Sequence, residues 1–107
     1  MKKLILVVGI LSAAAVSVSA ADGKANFATL CAKCHGADGK GDTKMGQRLG
    51  IKDLTDAKVQ AAFKDADAFK ALKEGMTRDD KTLMKPVEGL SDAELNDLVA
   101  YVRTLKQ

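Results

Sequence analysis

The sequence predicts an all-α fold of about four helices in one small domain, from three observations. The 107 residues suffice for one domain, which usually takes about 100 to 150 residues. Beyond the first twenty positions there is no run of alternating β-branched residues, so no sheet is expected. Several segments carry apolar residues at the helical period instead, most clearly between Ser91 and the chain end.

The N-terminus reads as an export signal. Met1-Lys2-Lys3 is a short positive start, Leu4 to Leu11 is apolar apart from Gly9, and Val18-Ser19-Ala20 fits a cleavage site after Ala20. A retained membrane anchor is the alternative, since Leu4 to Ala21 approaches the roughly 20 apolar residues of a spanning helix. Three serines and an alanine-rich second half argue against it. Residues 1–20 are thus expected to be removed, leaving residues 21–107 as a soluble domain, a monomer in the periplasm.

Processing changes the charge. Removing Lys2 and Lys3 from the 17 basic residues leaves 15 against 14 acidic ones, so the formal net charge falls from +3 to +1. Charges of both signs alternate, and one Tyr, three Phe and no Trp offer no base-stacking platform. Nucleic acid is therefore not an expected partner. A domain this small buries a low fraction of its surface and usually needs a disulfide, metal or cofactor to hold it.

Four helices are expected in order. The first covers about Asp22 to Lys33, with Asp22 as the N-cap and Phe27, Leu30 and Cys31 on one face. A glycine-rich stretch follows, Gly36, Gly39, Gly41, Gly46 and Gly50, and reads as loop. The second helix lies near Asp56 to Phe63, with Val59, Ala62 and Phe63 together. The third, about Asp67 to Glu74, aligns Ala68, Ala71 and Leu72 and stops at Gly75. The fourth begins with a capping box from Ser91 and Glu94, and Leu95, Leu98, Val99, Val102 and Leu105 form its apolar stripe. The first helix is its natural packing partner, because both are amphipathic and flank everything else.

Reactive side chains converge in one place, Cys31-Ala32-Lys33-Cys34-His35, which holds both cysteines and the single histidine. Residues three apart share a side of a helical turn, so both thiols can add to the two vinyl groups of one porphyrin while the imidazole of His35 meets its iron. A disulfide across so small a loop would remove little unfolded-state entropy and would leave His35 unexplained. Zinc needs four ligands, and no third cysteine or second histidine exists. A thioredoxin-like pair expects a βαβ neighbourhood that is absent from the sequence pattern. Covalent attachment of one haem c through Cys31 and Cys34, with His35 as proximal iron ligand, is the reading that uses all three residues.

A second iron ligand is expected to be a thioether, and Met45, Met76 and Met84 are available. Methionine is more often a core gap-filler. Met45 follows the attachment site too closely to cross to the opposite haem face with ease. Met76 sits just past the helix stop at Gly75. Met84 lies in a segment, Thr77 to Leu90, read as irregular, with Pro86 stiffening the chain beyond it. Met84 is the preferred distal ligand and Met76 the runner-up.

With these residues in view, the chain resembles the class I c-type cytochromes, specifically their short bacterial monohaem members, from Asp22 to the C-terminus. Gly23, Phe27, Cys31, Cys34 and His35 match the first-helix pattern of that family, and Leu98 and Tyr101 its last-helix pattern. Met84 occupies the position of the family's distal ligand, although Lys85 intervenes before Pro86 where many members have proline directly. The resemblance implies a small cytochrome c fold wrapped around one covalent haem, with the N- and C-terminal helices crossing. It also implies a single-electron carrier rather than an enzyme, shuttling electrons between respiratory or related redox partners through an exposed haem edge. Phe27, Leu30, Leu54, Leu72, Leu98 and Tyr101 would pack around the haem, and Lys33, Lys40, Lys44 and Lys85 would form a docking rim. A haem enzyme or gas sensor with a weak methionine ligand, and a non-haem thiol protein, are the competing functions.

Overall fold

A computed structural model describes residues 3–5, 9 and 18–107. Most of the segment read as an export signal, residues 1–20, lies outside the described residues. Among the described residues no helix is long and apolar enough to cross a membrane.

Two helices make the frame. Helix α1 (Ala20–Leu30) and helix α6 (Asp92–Thr104) pack on each other, and the buried cluster of Phe27, Cys31, Leu95 and Leu98 lies between them. Close approach at their crossing depends on Gly23. A Cβ there would stand 2.6 Å from the carbonyl carbon of Asp97 and 3.0 Å from the amide nitrogen of Leu98, and both are backbone atoms that cannot turn aside. Helix α6 starts as expected: Ser91 Oγ accepts from the Glu94 amide, and Glu94 reaches back to the Ser91 amide. Leu95, Leu98 and Val99 are buried, while Tyr101, Val102 and Leu105 complete the stripe half-buried.

Helix α1 departs from expectation at both ends. It begins at Ala20, capped by Ser19 rather than Asp22, because Ser19 Oγ accepts from the Asp22 amide. Cys31 then breaks it before α2 (Ala32–His35), with backbone angles (φ −115, ψ −32) off the helical mean. Leu30 is 49% exposed, so it does not share the buried face with Phe27 and Cys31. The glycine-rich stretch is not all loop. Thr43 caps helix α3 (Lys44–Leu49) through the Gly46 amide, and the left-handed Gly50 closes it.

Helices α4 (Ala57–Ala61) and α5 (Asp65–Glu74) occupy the expected segments, α5 starting two residues early. Asp56 caps α4 through the Lys58 amide, and Asp67 accepts from the Lys64 amide at the start of α5. The buried residue of α4 is polar: Gln60, 4% exposed, donates to the carbonyls of Leu54 and Val102. Arg103 of α6 then closes the arrangement. It donates to the carbonyls of Gln60 and Phe63 and to Asp65, and its guanidinium lies 4.2 Å over the Phe63 ring. Asp65 is largely exposed, so solvent screens that pair and the two carbonyl bonds dominate. Replacing Arg103 with alanine is expected to destabilise by about 2 kcal/mol, whereas Asp65→Asn should change stability by less than about 1 kcal/mol. Denaturant titration of the two variants checks that order.

The expectation of no sheet fails at one place. Strands β1 (Met76–Arg78) and β2 (Lys81–Met84) form an antiparallel hairpin across Asp79 and Asp80. Both aspartates take positive φ, 50° and 62°, which gives the mirror-image turn whose twist matches paired strands. A helix cannot continue from α5, because Gly75 adopts φ +79° and is packed against the following chain. A Cβ at Gly75 would stand 2.6 Å from the Met84 carbonyl oxygen and 2.9 Å from Pro86 Cδ. Beyond the hairpin, the Val87 amide donates to the Leu72 carbonyl at 2.8 Å and ties the segment back to α5.

Candidate functional site

The residues singled out as reactive sit where the frame meets the first loop. Cys31 ends α1, and Cys34 and His35 lie on α2, so one short helical turn carries all three. This turn is held from both sides. The Cys31 amide donates to the Phe27 carbonyl, and the Gly36 and Gly41 amides donate to the carbonyls of Ala32 and His35. Thr43 Oγ1 donates to the Cys34 carbonyl at 2.6 Å while accepting from the Gly46 amide, which docks α3 onto α2.

The two cysteines are not joined in a disulfide. Cys31 is buried among Phe27, Leu95 and Leu98, whereas Cys34 is half-buried. Burial, and secondarily the neighbouring Cys34, push the Cys31 thiol up to about 11, so it stays protonated at neutral pH. His35 responds to burial in the opposite sense: desolvation holds its imidazole below the usual 6.5, keeping it neutral and its nitrogen lone pair available. Its Nδ1 is buried with no hydrogen-bond partner, and its ring lies 6.3 Å from that of Phe27. Phe27 in turn contacts Tyr101, ring centroids 5.1 Å apart.

Two cysteines one helical turn apart, beside a neutral histidine held off water, suit a flat prosthetic group with two addition sites and a central metal. They do not suit a bare ion. Among the described residues no three His, Cys, Asp or Glu side chains gather to hold one, and zinc would need four donors. The core is also short of the apolar mass such a group supplies: among the described residues its buried hydrophobic members are Phe27, Cys31, Leu95, Leu98 and Val99. Leu54, Leu72 and Tyr101 pack half-buried against the cluster of Phe27, Cys31, Leu95 and Leu98. The residues present therefore fit haem.

The three methionines fall differently. Met84 ends β2, half-buried, and pairs across the hairpin with Met76, which is 49% exposed. Met45 is half-buried in α3. Met84 therefore shares a hairpin with its runner-up and lies outside the buried cluster that contains Cys31. Lys33, Lys40, Lys44 and Lys85 are all exposed, the first three along the α2–α3 segment and the last directly after Met84. The sequence reading missed Gln60 and Thr43, polar residues whose bonds to distant carbonyls leave no spacing signature.

Comparison with known proteins agrees with this arrangement. The family model described as cytochrome c matches residues 20–106. Cytochrome c-554(547) of Halothiobacillus neapolitanus is 33% identical over 88 residues, covering 81% of this chain and 97% of that protein. The solved structure of the KustC0563 c-type cytochrome superposes with a TM-score of 0.72 at 32% identity, covering 80% of this chain and 99% of its own. The chain belongs to the cytochrome c family, as a small class I c-type cytochrome that binds haem c covalently and passes electrons to and from partner proteins.

Proposed function

We propose that the chain is a periplasmic single-electron carrier, in which Cys31 and Cys34 form the two thioether bonds, His35 binds the iron on one face and Met84 binds it on the other. The observation that carries this reading is the pair of cysteines one turn apart beside a buried imidazole whose Nδ1 has no hydrogen-bond partner. Bound haem supplies a one-electron ferrous and ferric couple. The protein's part is to fix that group and control its surroundings. Cys31 and Cys34 make its loss impossible without breaking covalent bonds.

His35 and Met84 would together hold the iron, and with both in place it would be closed to oxygen or another small ligand. Met84 is favoured over Met76 because it is the better buried of the pair, and because Gly75, Pro86 and the Val87 amide fix the backbone around it. A thioether ligand and apolar packing by Phe27 and Leu98 favour the less charged ferrous form. Met84→Ala is expected to abolish the thioether-to-iron charge-transfer band completely and to open the iron to carbon monoxide, while Met76→Ala keeps the band. A band that survives in Met84→Ala would assign the ligand elsewhere.

Residues 1–20 are read as an export signal removed after Ala20, giving a monomeric periplasmic protein that meets its redox partners transiently. Lys33, Lys40, Lys44 and Lys85 are exposed and take part in none of the ion pairs found among the described residues. They are proposed to guide an anionic partner toward the haem edge, in the small, mixed-charge encounters that electron carriers use. The bimolecular reduction rate with such a partner is then expected to fall roughly tenfold or more between low and 0.5 M salt. A rate independent of ionic strength would remove these lysines from the docking surface.

A further inference from the structure

The start of α1 is fastened to α6 by one side chain. The Ser19 amide donates to Asp97 Oδ1 at 2.8 Å, across 78 positions of sequence. Ser19 also serves α1 itself: its hydroxyl accepts from the Asp22 amide, and its carbonyl accepts from the Gly23 amide at 3.3 Å. Asp97 is half-buried and stands at the Gly23 crossing, where its own backbone meets α1. Removal of residues 1–20 would take away the cap and the partner of Asp97 together. It would leave a half-buried carboxylate facing the first turn of a helix, and a new α-ammonium at Ala21.

A positive chain end at a helix N-terminus opposes the helix dipole and needs a counter-charge. Ala21 lies two positions after Ser19, about 3 Å of rise along a helix, which a re-aimed aspartate side chain can span. The charged neighbours are few. Asp22 and Lys24 in the first turn of α1 are exposed, and Glu94, one turn before Asp97, is engaged by Ser91.

We propose that Asp97 is the seat of the chain end created by processing, exchanging its hydrogen bond from the Ser19 amide for an ion pair with the α-ammonium of Ala21. The neutral donor of the precursor is replaced by a charged one, which strengthens the bond. Processing thereby trades the Ser19 cap for a direct clamp between α1 and α6, at the crossing that positions Phe27 and Cys31. This inference rests on the removal of residues 1–20 proposed above.

The test uses the haem-loaded exported protein and its Asp97→Asn variant, each with the α-amine free or selectively acetylated near neutral pH, where that amine reacts ahead of the lysines. Intact mass fixes the chain start, and guanidinium unfolding followed by circular dichroism gives the stability of all four forms. In the unsubstituted protein acetylation is expected to raise the unfolding constant about threefold to fivefold, and in Asp97→Asn to leave it unchanged or lower it, because only the unfavourable term with the helix dipole is then removed. Equal effects of acetylation in both, with a mass beginning at Ala21, would overturn the role of Asp97 and leave the processing reading intact. A mass beginning at Met1 would overturn both.

Discussion

Replacing Gly23 with alanine is expected to lower the thermal midpoint of the haem-loaded protein by roughly 12–24 °C, although alanine is the better helix former. Two effects compete. Alanine in place of a helical glycine is worth about 1 kcal/mol of conformational entropy. Against it stands a Cβ 2.6 Å from the Asp97 carbonyl carbon and 3.0 Å from the Leu98 amide nitrogen, contacts that only a shift of α6 can relieve. Overpacking against side chains costs about 1–3 kcal/mol, and against backbone the relief must come from the whole helix, so a net loss near 3 kcal/mol is expected. At about 4–8 °C per kcal/mol for a domain of this size, that gives the stated shift. Moving α6 away also loosens Leu98 and Leu95 from Phe27, the contacts that bury Cys31. A midpoint within about 3 °C of the unsubstituted protein would show that the helices separate freely and that the crossing is not tight.

A larger effect is expected from Cys31→Ser combined with Cys34→Ser, namely loss of the cooperatively folded state rather than of redox activity alone. Among the described residues the buried hydrophobic ones are five, and one of them is Cys31 itself. Domains this size hold only about 5–10 kcal/mol of net stability, and below about 80 residues they commonly depend on a staple or bound group for it. Held as proposed, haem would supply apolar mass, a metal bond to His35 and a link between α1 and α2 at once. Without the thioethers the chain is expected to show far-UV circular dichroism of a largely unfolded polypeptide and no sigmoidal denaturant transition. A cooperative transition in the double variant without bound haem would mean that the helices carry the fold unaided.

The parts of the fold legible in the sequence are those encoded by local spacing. Ser91 and Glu94 announce the start of α6, and its apolar positions repeat every helical turn to Leu105. Cys31, Cys34 and His35 are contiguous, so their convergence needs no knowledge of distant contacts. The hairpin was not legible for physical reasons. Its strands are three and four residues long, β1 is wholly exposed, and a register shift between Met76 and Thr77 interrupts the pairing, so no two-residue alternation builds up. Its turn uses Asp79-Asp80 where glycine is the usual signal for positive φ.

The cap of α1 was misread because Asp22 is a good capping residue that lies inside the first turn, where its carboxylate still favours the helix dipole. Helix α3 was hidden by the glycines around it, since Thr43 offers the cap but Gly46 and Gly50 depress the propensity. Gln60 and Arg103 join segments more than forty residues apart, and no periodicity records a bond of that kind.

The attachment of haem through Cys31 and Cys34 is tested most directly by the tryptic map of the purified protein. Trypsin cuts after Lys24, Lys33 and Lys40, and so divides the two cysteines between the peptides Ala25–Lys33 and Cys34–Lys40. The expected result is one absorbing species whose mass is both peptides plus a single haem, with no free thiol. Two separate peptides, each with a titratable cysteine, would contradict the account.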